Sequence, residues 1–573
     1  MTKSILKTLF LAGAFLLVLA LLLLSGPGSH QAPAAANQSY IVQGRDIEQV
    51  VQLVQKYNGT VTSRLSIIGG VGAILPVNQV SRLQAEPDIT NVMPNAEVRL
   101  ASETAGNIQG GRATADYSEV VDANDVWAQG VTGKGVTVAV LDTGIKSTLS
   151  GLQKDTNNTN RVVGWQDFIG PKPNQQPEDR HGHGTHVAGI TANSDTGDDG
   201  IWNGIAPDVN LVGVRVLNDE GAGTYETVIQ GIQWVVDNKD LYDIKVMNLS
   251  IVASPQSPYW ADPMDQAVMR AWAEGITVVA AAGNSGPAPM TISVPGNTPY
   301  IITVGAFTDN FTPNNWSDDY ITPFSAAGPT LDAFVKPDVI APGAHMVSTM
   351  LSSATLARNH QSNMVSGNYF KMAGTSQATA VVSGIAALIL SQDANLTPDQ
   401  VKYRIMYGTQ LWAERERDNT FKTRYSIWQQ GMGRVNAPAA VFAATQDSAN
   451  RGLDVHADLA DPENGYEGYS YYDVTSQEFR LWEDPGTGPG GYTSWAGGYT
   501  SWAGGYTSWA GGYTSWAGNE PWTGRYDDPT FIAGYQEGDS PPSNTESTTN
   551  QWIDELDWDD ARHTYLPVIL VER

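Results

Sequence analysis

At 573 residues the chain exceeds what one hydrophobic core holds, so two or three domains are expected. It contains no cysteine, which excludes a disulfide framework, a thiol nucleophile and thiolate metal sites. The formal net charge of −27 excludes nucleic acid as a partner, since phosphates would repel such a chain. With 22 acidic against 5 basic residues from Gln446 onward, about −17 of that charge sits in the tail, where it reads as a solubility feature.

In chain order, Lys3 and Lys7 precede an apolar run at 9–24, followed by Ser25-Gly26-Pro27-Gly28 and an Ala-rich patch ending at Ala36. A positive stretch, an apolar stretch and small residues describe an export signal over 1–36, and so a secreted or extracellular protein. The run approaches the length of a spanning helix, which leaves an uncleaved membrane anchor as the second reading. Residues 37–100 then read as a small unit of their own. A strand at Tyr40-Ile41-Val42, a helix carrying Ile47, Val50, Val51 and Val54, strands at 60–68 and 72–76, a helix at 77–84 and a strand at 90–100 follow in turn. That order is the one of a ferredoxin-like α+β sandwich. Residues 101–121 begin small and polar without apolar periodicity, the texture of a linker and a natural place for a cut.

From residue 136 the pattern changes. Short apolar runs at 136–141, 211–217, 244–251, 276–282 and 300–306 lack polar alternation, as do strands of a parallel sheet covered on both faces. Between them, 225–238 and 263–274 carry the helical period. This predicts an α/β, three-layer domain with a mostly parallel sheet over 122–445. Residues 446–573 form an acidic, low-complexity extension. Its stretch 491–518 holds four near-perfect copies of Gly-Tyr-Thr-Ser-Trp-Ala-Gly. The glycines exclude a coiled coil, and the segment reads as a tether or a strip packed on the preceding α/β domain, with cell-surface or polysaccharide contact as the other reading. Residues 565–571 form one further strand candidate.

Three polar clusters carry chemistry. Asp142, in Val140-Leu141-Asp142-Thr143-Gly144, falls just past the carboxyl end of a buried strand, where open parallel sheets place catalytic groups. His183 opens a small-residue helix in His183-Gly184-Thr185-His186-Val187-Ala188-Gly189 and competes with His181 and His186 for an imidazole role. Ser376, in Gly374-Thr375-Ser376-Gln377-Ala378, stands where a turn enters an apolar helix, whose unpaired N–H groups favour an oxyanion. Asn284, in Ala281-Ala282-Gly283-Asn284-Ser285-Gly286, ends another buried strand and offers an amide donor. Taken singly, these residues also read as a capping aspartate, a structural histidine and a turn asparagine.

Together, in the order Asp, His, Asn, Ser, these blocks resemble those of the subtilisin-like serine proteases over about 122–444. The resemblance implies a subtilisin-like fold and a secreted serine endopeptidase that works through an acyl-enzyme. Asp142, His183 and Ser376 would be the triad and Asn284 the oxyanion donor. Gly221, Ala222 and Gly223 would pair with the substrate backbone, and Ser250, Ile251, Ala281, Ala282 and Gly283 would line the pocket before the scissile bond. It further implies an N-terminal inhibitory propeptide at 37–100, removed by self-cleavage within 101–115, polypeptide substrates and a monomeric enzyme. No cofactor is required for the chemistry. Calcium is a family option, with Asp195, Asp198 and Asp199 as oxygen donors on one loop.

This chain departs from the pattern at Gln377-Ala378-Thr379-Ala380, where the family has Met-Ala-x-Pro, and at Val252, where a glycine is common. Two rivals stand beside this reading. One is a secreted surface-binding protein with a catalytically inactive domain of this family. The other is an ester or lipid hydrolase, which the missing Gly-x-Ser-x-Gly elbow and the order Asp, His, Ser disfavour.

Overall fold

The computed structural model describes residues 36–101, 116–170, 176–197, 200–415, 421–461, 465–468, 470–473 and 478–481. The export signal but for Ala36, the linker stretch 102–115, Asp198, Asp199, the repeats at 491–518 and the strand candidate at 565–571 lie outside the described residues. The chain divides into two compact units, the first ending at Pro94 and the second taking Leu65–Gly70 and everything from Asn95 onward.

In the first unit, strands β1 (Asn37–Gly44), β2 (Thr60–Leu65), β3 (Gly70–Pro76) and β4 (Ile89–Pro94) form one sheet in the order β2-β3-β1-β4. Helix α1 (Ile47–Lys56) separates β1 from β2, and α2 (Val80–Gln84) separates β3 from β4. Asp46 starts α1 by accepting the N–H groups of Glu48 and Gln49 at 2.8 and 3.0 Å, which satisfies two donors the helix leaves open. The apolar faces meet in a core of Val42, Val50, Val54, Val71, Leu75, Leu83 and Val92. Each such side chain contributes roughly 1.5–3 kcal/mol by leaving water.

The expected strand at 90–100 is two strands. Strand β4 stops at Pro94, and after Asn95-Ala96 a separate strand β5 (Glu97–Leu100) joins a different sheet in the second unit. Asn95 anchors that break by accepting the N–H of Glu226 at 2.9 Å.

The second unit is built on an eight-stranded sheet. Its main path runs β14 (Tyr320–Ile321), β13 (Ile302–Thr308), β12 (Thr277–Ala281), β10 (Ile244–Leu249), β6 (Thr137–Asp142), β8 (Asn210–Arg215) and β7 (Val162–Asp167), with β15 (Val339–Pro342) also pairing β13. The ladder is parallel except between β13 and β14. Every residue of β6 and β12 is buried, as strands covered on both faces require. Helices α3 (His183–Ala192) and α6 (Thr375–Gln392) pack on each other and on the sheet. So do α4 (Tyr225–Asp237) and α5 (Pro263–Ala273). Leu249 stands in register with both Leu141 and Ala280, so the carboxyl ends of β6, β10 and β12 share one rim.

Strands β7, β14 and β15 carry no clear signal in the sequence. The pattern of β7 mixes buried with half-exposed positions, and β14 and β15 are only 2 and 4 residues long. Packed structure also continues past residue 445, the expected end of this domain. Asp458, in helix α7 (Val455–Ala460), accepts the hydroxyls of Tyr259 and Tyr300 at 2.6 and 2.7 Å. Gly468 donates its N–H to the carbonyl of Asp332 at 2.8 Å, and Trp428 Nε1 donates to the carbonyl of Phe479 at 3.3 Å.

Candidate active site

Asp142 is the last residue of β6, and His183 is the first of α3; both are buried. His183 Nδ1 lies 2.8 and 2.9 Å from the two carboxylate oxygens of Asp142, and the first oxygen also accepts the N–H of Thr143 at 2.7 Å. A proton on Nδ1 donated to Asp142 leaves the Nε2 lone pair free to accept, and among the described residues Nε2 has no hydrogen-bond partner. The close approach of helix to strand depends on Gly184. A Cβ there would meet the carbonyl oxygen of Gly144 at 2.2 Å and Asp142 Cβ at 3.0 Å.

The turn that delivers His183 is held by Asp179, which the sequence reading passed over. One oxygen accepts the Gly182 N–H at 2.8 Å and the Thr143 hydroxyl at 3.0 Å. The other accepts the N–H and hydroxyl of Thr185 at 2.9 and 2.7 Å. Burial pushes the Asp179 carboxyl up while these donors pull it back. The signal was available, as an acid a few residues before a helix start that can accept its first N–H groups.

The neighbouring histidines are different in kind. His186 Nε2 lies 3.1 and 3.0 Å from the carbonyls of Met346 and Phe370, and burial pushes its pKa down to about 3. Burial, with His183 beside it, takes His181 down to about 4. Neither is hydrogen-bonded to Asp142.

Ser376 is the second residue of α6 and is buried. Its Oγ donates to the carbonyl of Ser250 at 3.1 Å, and Ser250 Oγ donates back to the Ser376 carbonyl at 3.0 Å. Asn284 is oriented by Thr375, whose N–H and hydroxyl donate to Asn284 Oδ1 at 3.0 and 2.9 Å. That contact turns Nδ2 away, and Nδ2 is buried without a partner among the described residues. Gly283, at φ 114°, makes the turn before it; a Cβ there would meet Ser293 Oγ at 2.5 Å. Beside Ser376, Gln377 is buried and both of its amide atoms lack a partner among the described residues.

The chain's own strand β5 lies between β9 (Ala222–Thr224) and β11 (Ile251–Val252), antiparallel to both. Val98 is opposite Gly223, Arg99 is opposite Ala222 and Val252, and Leu100 is opposite Ile251. Gly221 precedes this ladder, and a Cβ there would meet Leu100 Cδ1 at 2.7 Å. Ala101 continues the strand. Its N–H donates to the Ser250 carbonyl at 3.1 Å, and its carbonyl accepts the Ser376 N–H at 2.9 Å. At the neighbouring rim, the N–H of Ala282 donates to the Val304 carbonyl at 2.9 Å and the N–H of Gly283 to Thr375 Oγ at 3.2 Å, while Ala281 closes β12.

On the loop named for calcium, Asp195 accepts the Ser150 hydroxyl at 2.7 Å.

Residues 133–431 match the model of the subtilase family of peptidases, and the chain belongs to that family. Serine protease AprX of Bacillus subtilis (strain 168) is 39% identical over 359 residues, 62% of this chain and 74% of that protein. Subtilisin E of the same organism is 31% identical over 392 residues, 68% of this chain and 84% of that protein. Among solved structures, fervidolysin from Fervidobacterium pennivorans, a keratinolytic enzyme related to subtilisin, superposes with a TM-score of 0.55 at 22% identity. That match covers 74% of this chain and 63% of fervidolysin, and it speaks for the fold alone. The activity class is serine endopeptidase.

Proposed function

We propose that the chain is a secreted serine endopeptidase, made as a precursor that cuts itself after Ala101. The observation that carries this is the placing of Ala101, which hydrogen-bonds to Ser250 on its amino side and to the Ser376 N–H at its carbonyl. An extended segment held by main-chain bonds on two edges, with its last carbonyl at the nucleophile's amide, is the posture of a bound peptide.

In the proposed reaction Ser376 Oγ leaves the Ser250 carbonyl and attacks the carbonyl carbon of Ala101. Its proton passes to His183 Nε2, and Asp142 holds the imidazole in the required tautomer and balances the imidazolium. The negative oxygen that forms takes the Ser376 N–H and Asn284 Nδ2, two donors fixed before reaction begins. The C–N bond to Ser102 then breaks as His183 returns the proton to the leaving amine. Water, activated by the same imidazole, hydrolyses the ester. Substrates in trans would follow the path of β5, so their main chain is read at Ala222, Gly223, Ser250 and Ile251. Small walls at Ala281, Ala282 and Gly283 favour a small uncharged residue before the cut, as Ala101 is.

The residues before the cut, 37–101, act as the inhibitory segment. Calcium, if held at Asp195 with Asp198 and Asp199, would serve the fold, and no step of the reaction passes through it. Export rests on the signal at 1–36; among the described residues no helix is long and apolar enough to cross a membrane.

The test is the amino terminus of the mature enzyme. Ser376→Ala should accumulate as precursor, and the wild type should yield a product starting at Ser102. Processing of the Ser376→Ala protein expressed alone overturns the proposal.

A further inference from the structure

We propose that Asp116, Asp309 and His345 form a binding site for a divalent transition-metal ion of the zinc type, built from residues the catalytic reading does not use. Each residue offers one ligand atom, and these atoms lie within 4.8 Å of one another. An ion central to three such atoms sits no farther than about 2.8 Å from each, a small side-chain adjustment from zinc bonds of about 2.0–2.2 Å. All three residues are buried, at 6%, 3% and 4% exposure, so this is no solvated acidic patch.

An independent observation points to a missing partner. One carboxylate oxygen of Asp309 pairs with His345 Nε2, but the other, Oδ2, is buried and has no hydrogen-bond partner among the described residues. A buried carboxylate oxygen left without a donor is costly, and a cation supplies what it lacks. Arg434 feels the Asp309 charge across space, but makes its ion pair with another acid, Asp319, at 2.8 Å. Lys371 is the cation that feels Asp116. The imidazole is also held as a ligand's would be. Thr308 Oγ lies 3.3 Å from Nδ1, and the Phe311 ring stacks on it at 4.1 Å, which fixes its plane and leaves Nε2 facing the carboxylate.

One imidazole nitrogen with two carboxylates selects zinc, cobalt or manganese over calcium, which takes oxygen ligands alone. Asp309 follows β13, His345 immediately precedes the strand Met346–Thr349, and Asp116 precedes the helical turn Tyr117–Val120, late in the expected linker 101–121. An ion held by all three would tie the segment before the α/β domain to the end of β13 and the start of the strand Met346–Thr349.

Cobalt titration of the full chain, after chelator treatment and dialysis, tests this through the visible absorption of the bound ion. Absorption should saturate at one equivalent, zinc should displace it, and millimolar calcium should not. Asp309→Asn and His345→Gln, each checked for native circular dichroism, should bind cobalt at least about tenfold more weakly. A rise in the melting temperature with zinc should vanish in both. The proposal is overturned if wild type shows no saturable absorption, or if calcium displaces the cobalt. It fails equally if both variants bind like wild type, or if His181→Gln abolishes binding that His345→Gln keeps.

Discussion

Thr185 donates both its backbone N–H and its hydroxyl to a single oxygen of Asp179, at 2.9 and 2.7 Å, and so ties the first turn of α3 to the loop before it. Asp179→Ala would leave these donors, with Gly182 N–H and the Thr143 hydroxyl, unpaired in a buried place. The expected loss is roughly 1–3 kcal/mol of stability. Turnover should fall about tenfold to hundredfold as His183 drifts, with KM little changed, because a displaced base loses rate before binding. Denaturant melts and steady-state kinetics on a peptide substrate check the two numbers.

Asn284→Ala should lower kcat by about 10²–10³ and leave KM near its original value, a magnitude carried over from subtilisin, where it was established. Removing Thr375 Oγ, by Thr375→Val, should reproduce part of that loss, since its hydroxyl and N–H hold the amide in place. A kcat unchanged in Asn284→Ala would contradict the oxyanion assignment.

Acid should unfold the catalytic domain through two buried histidines, neither of them bonded to Asp142. His186 and His181 are pushed down to about 3 and about 4 from an ordinary value of 6.5. Their folded pKa values are depressed, so the stability they lend is complete above pH 6.5 and is lost as pH falls toward those values. By pH 4 each accounts for about 3 kcal/mol of lost stability. Melting temperature against pH should break downward near 6.5, and His186→Gln should flatten the break.

The segment beyond residue 445 should respond with the opposite sign. Burial raises Asp332 to about 7, with Glu467 adding to it, and burial raises Glu467 to about 7 as well. Raised acids favour the packed state most below their ordinary values, near 4, and lose that contribution as pH climbs through 7. Hydrogen exchange at 465–468, 470–473 and 478–481, corrected for the intrinsic rate, should therefore quicken between pH 5 and pH 8. Glu467→Gln should reduce the change.

The candidate blocks stand out in the sequence because each combines a polar group with one end of a buried apolar run, as at Asp142 and Ser376. The division near residue 94 was not. Residues 89–100 keep an extended pattern throughout, and nothing in period-two alternation says which sheet each half will join. The Asp116, Asp309 and His345 cluster was unreadable for a related reason, since its members stand far apart in sequence without a spacing motif. The packing of Asp458 under Tyr259 and Tyr300 was masked by composition. An acidic stretch reads as solvated, whereas two tyrosine hydroxyls here give one of its carboxylates a buried home.

Gly184 brings no functional group to the rim, yet it sets the spacing there. A methyl at that position would act as a wedge between the helix and the strand it leans on. The expected product is a folded sheet whose proton relay is out of gear. What position 184 contributes is the absence of a side chain, and no inventory of chemical groups would have marked it.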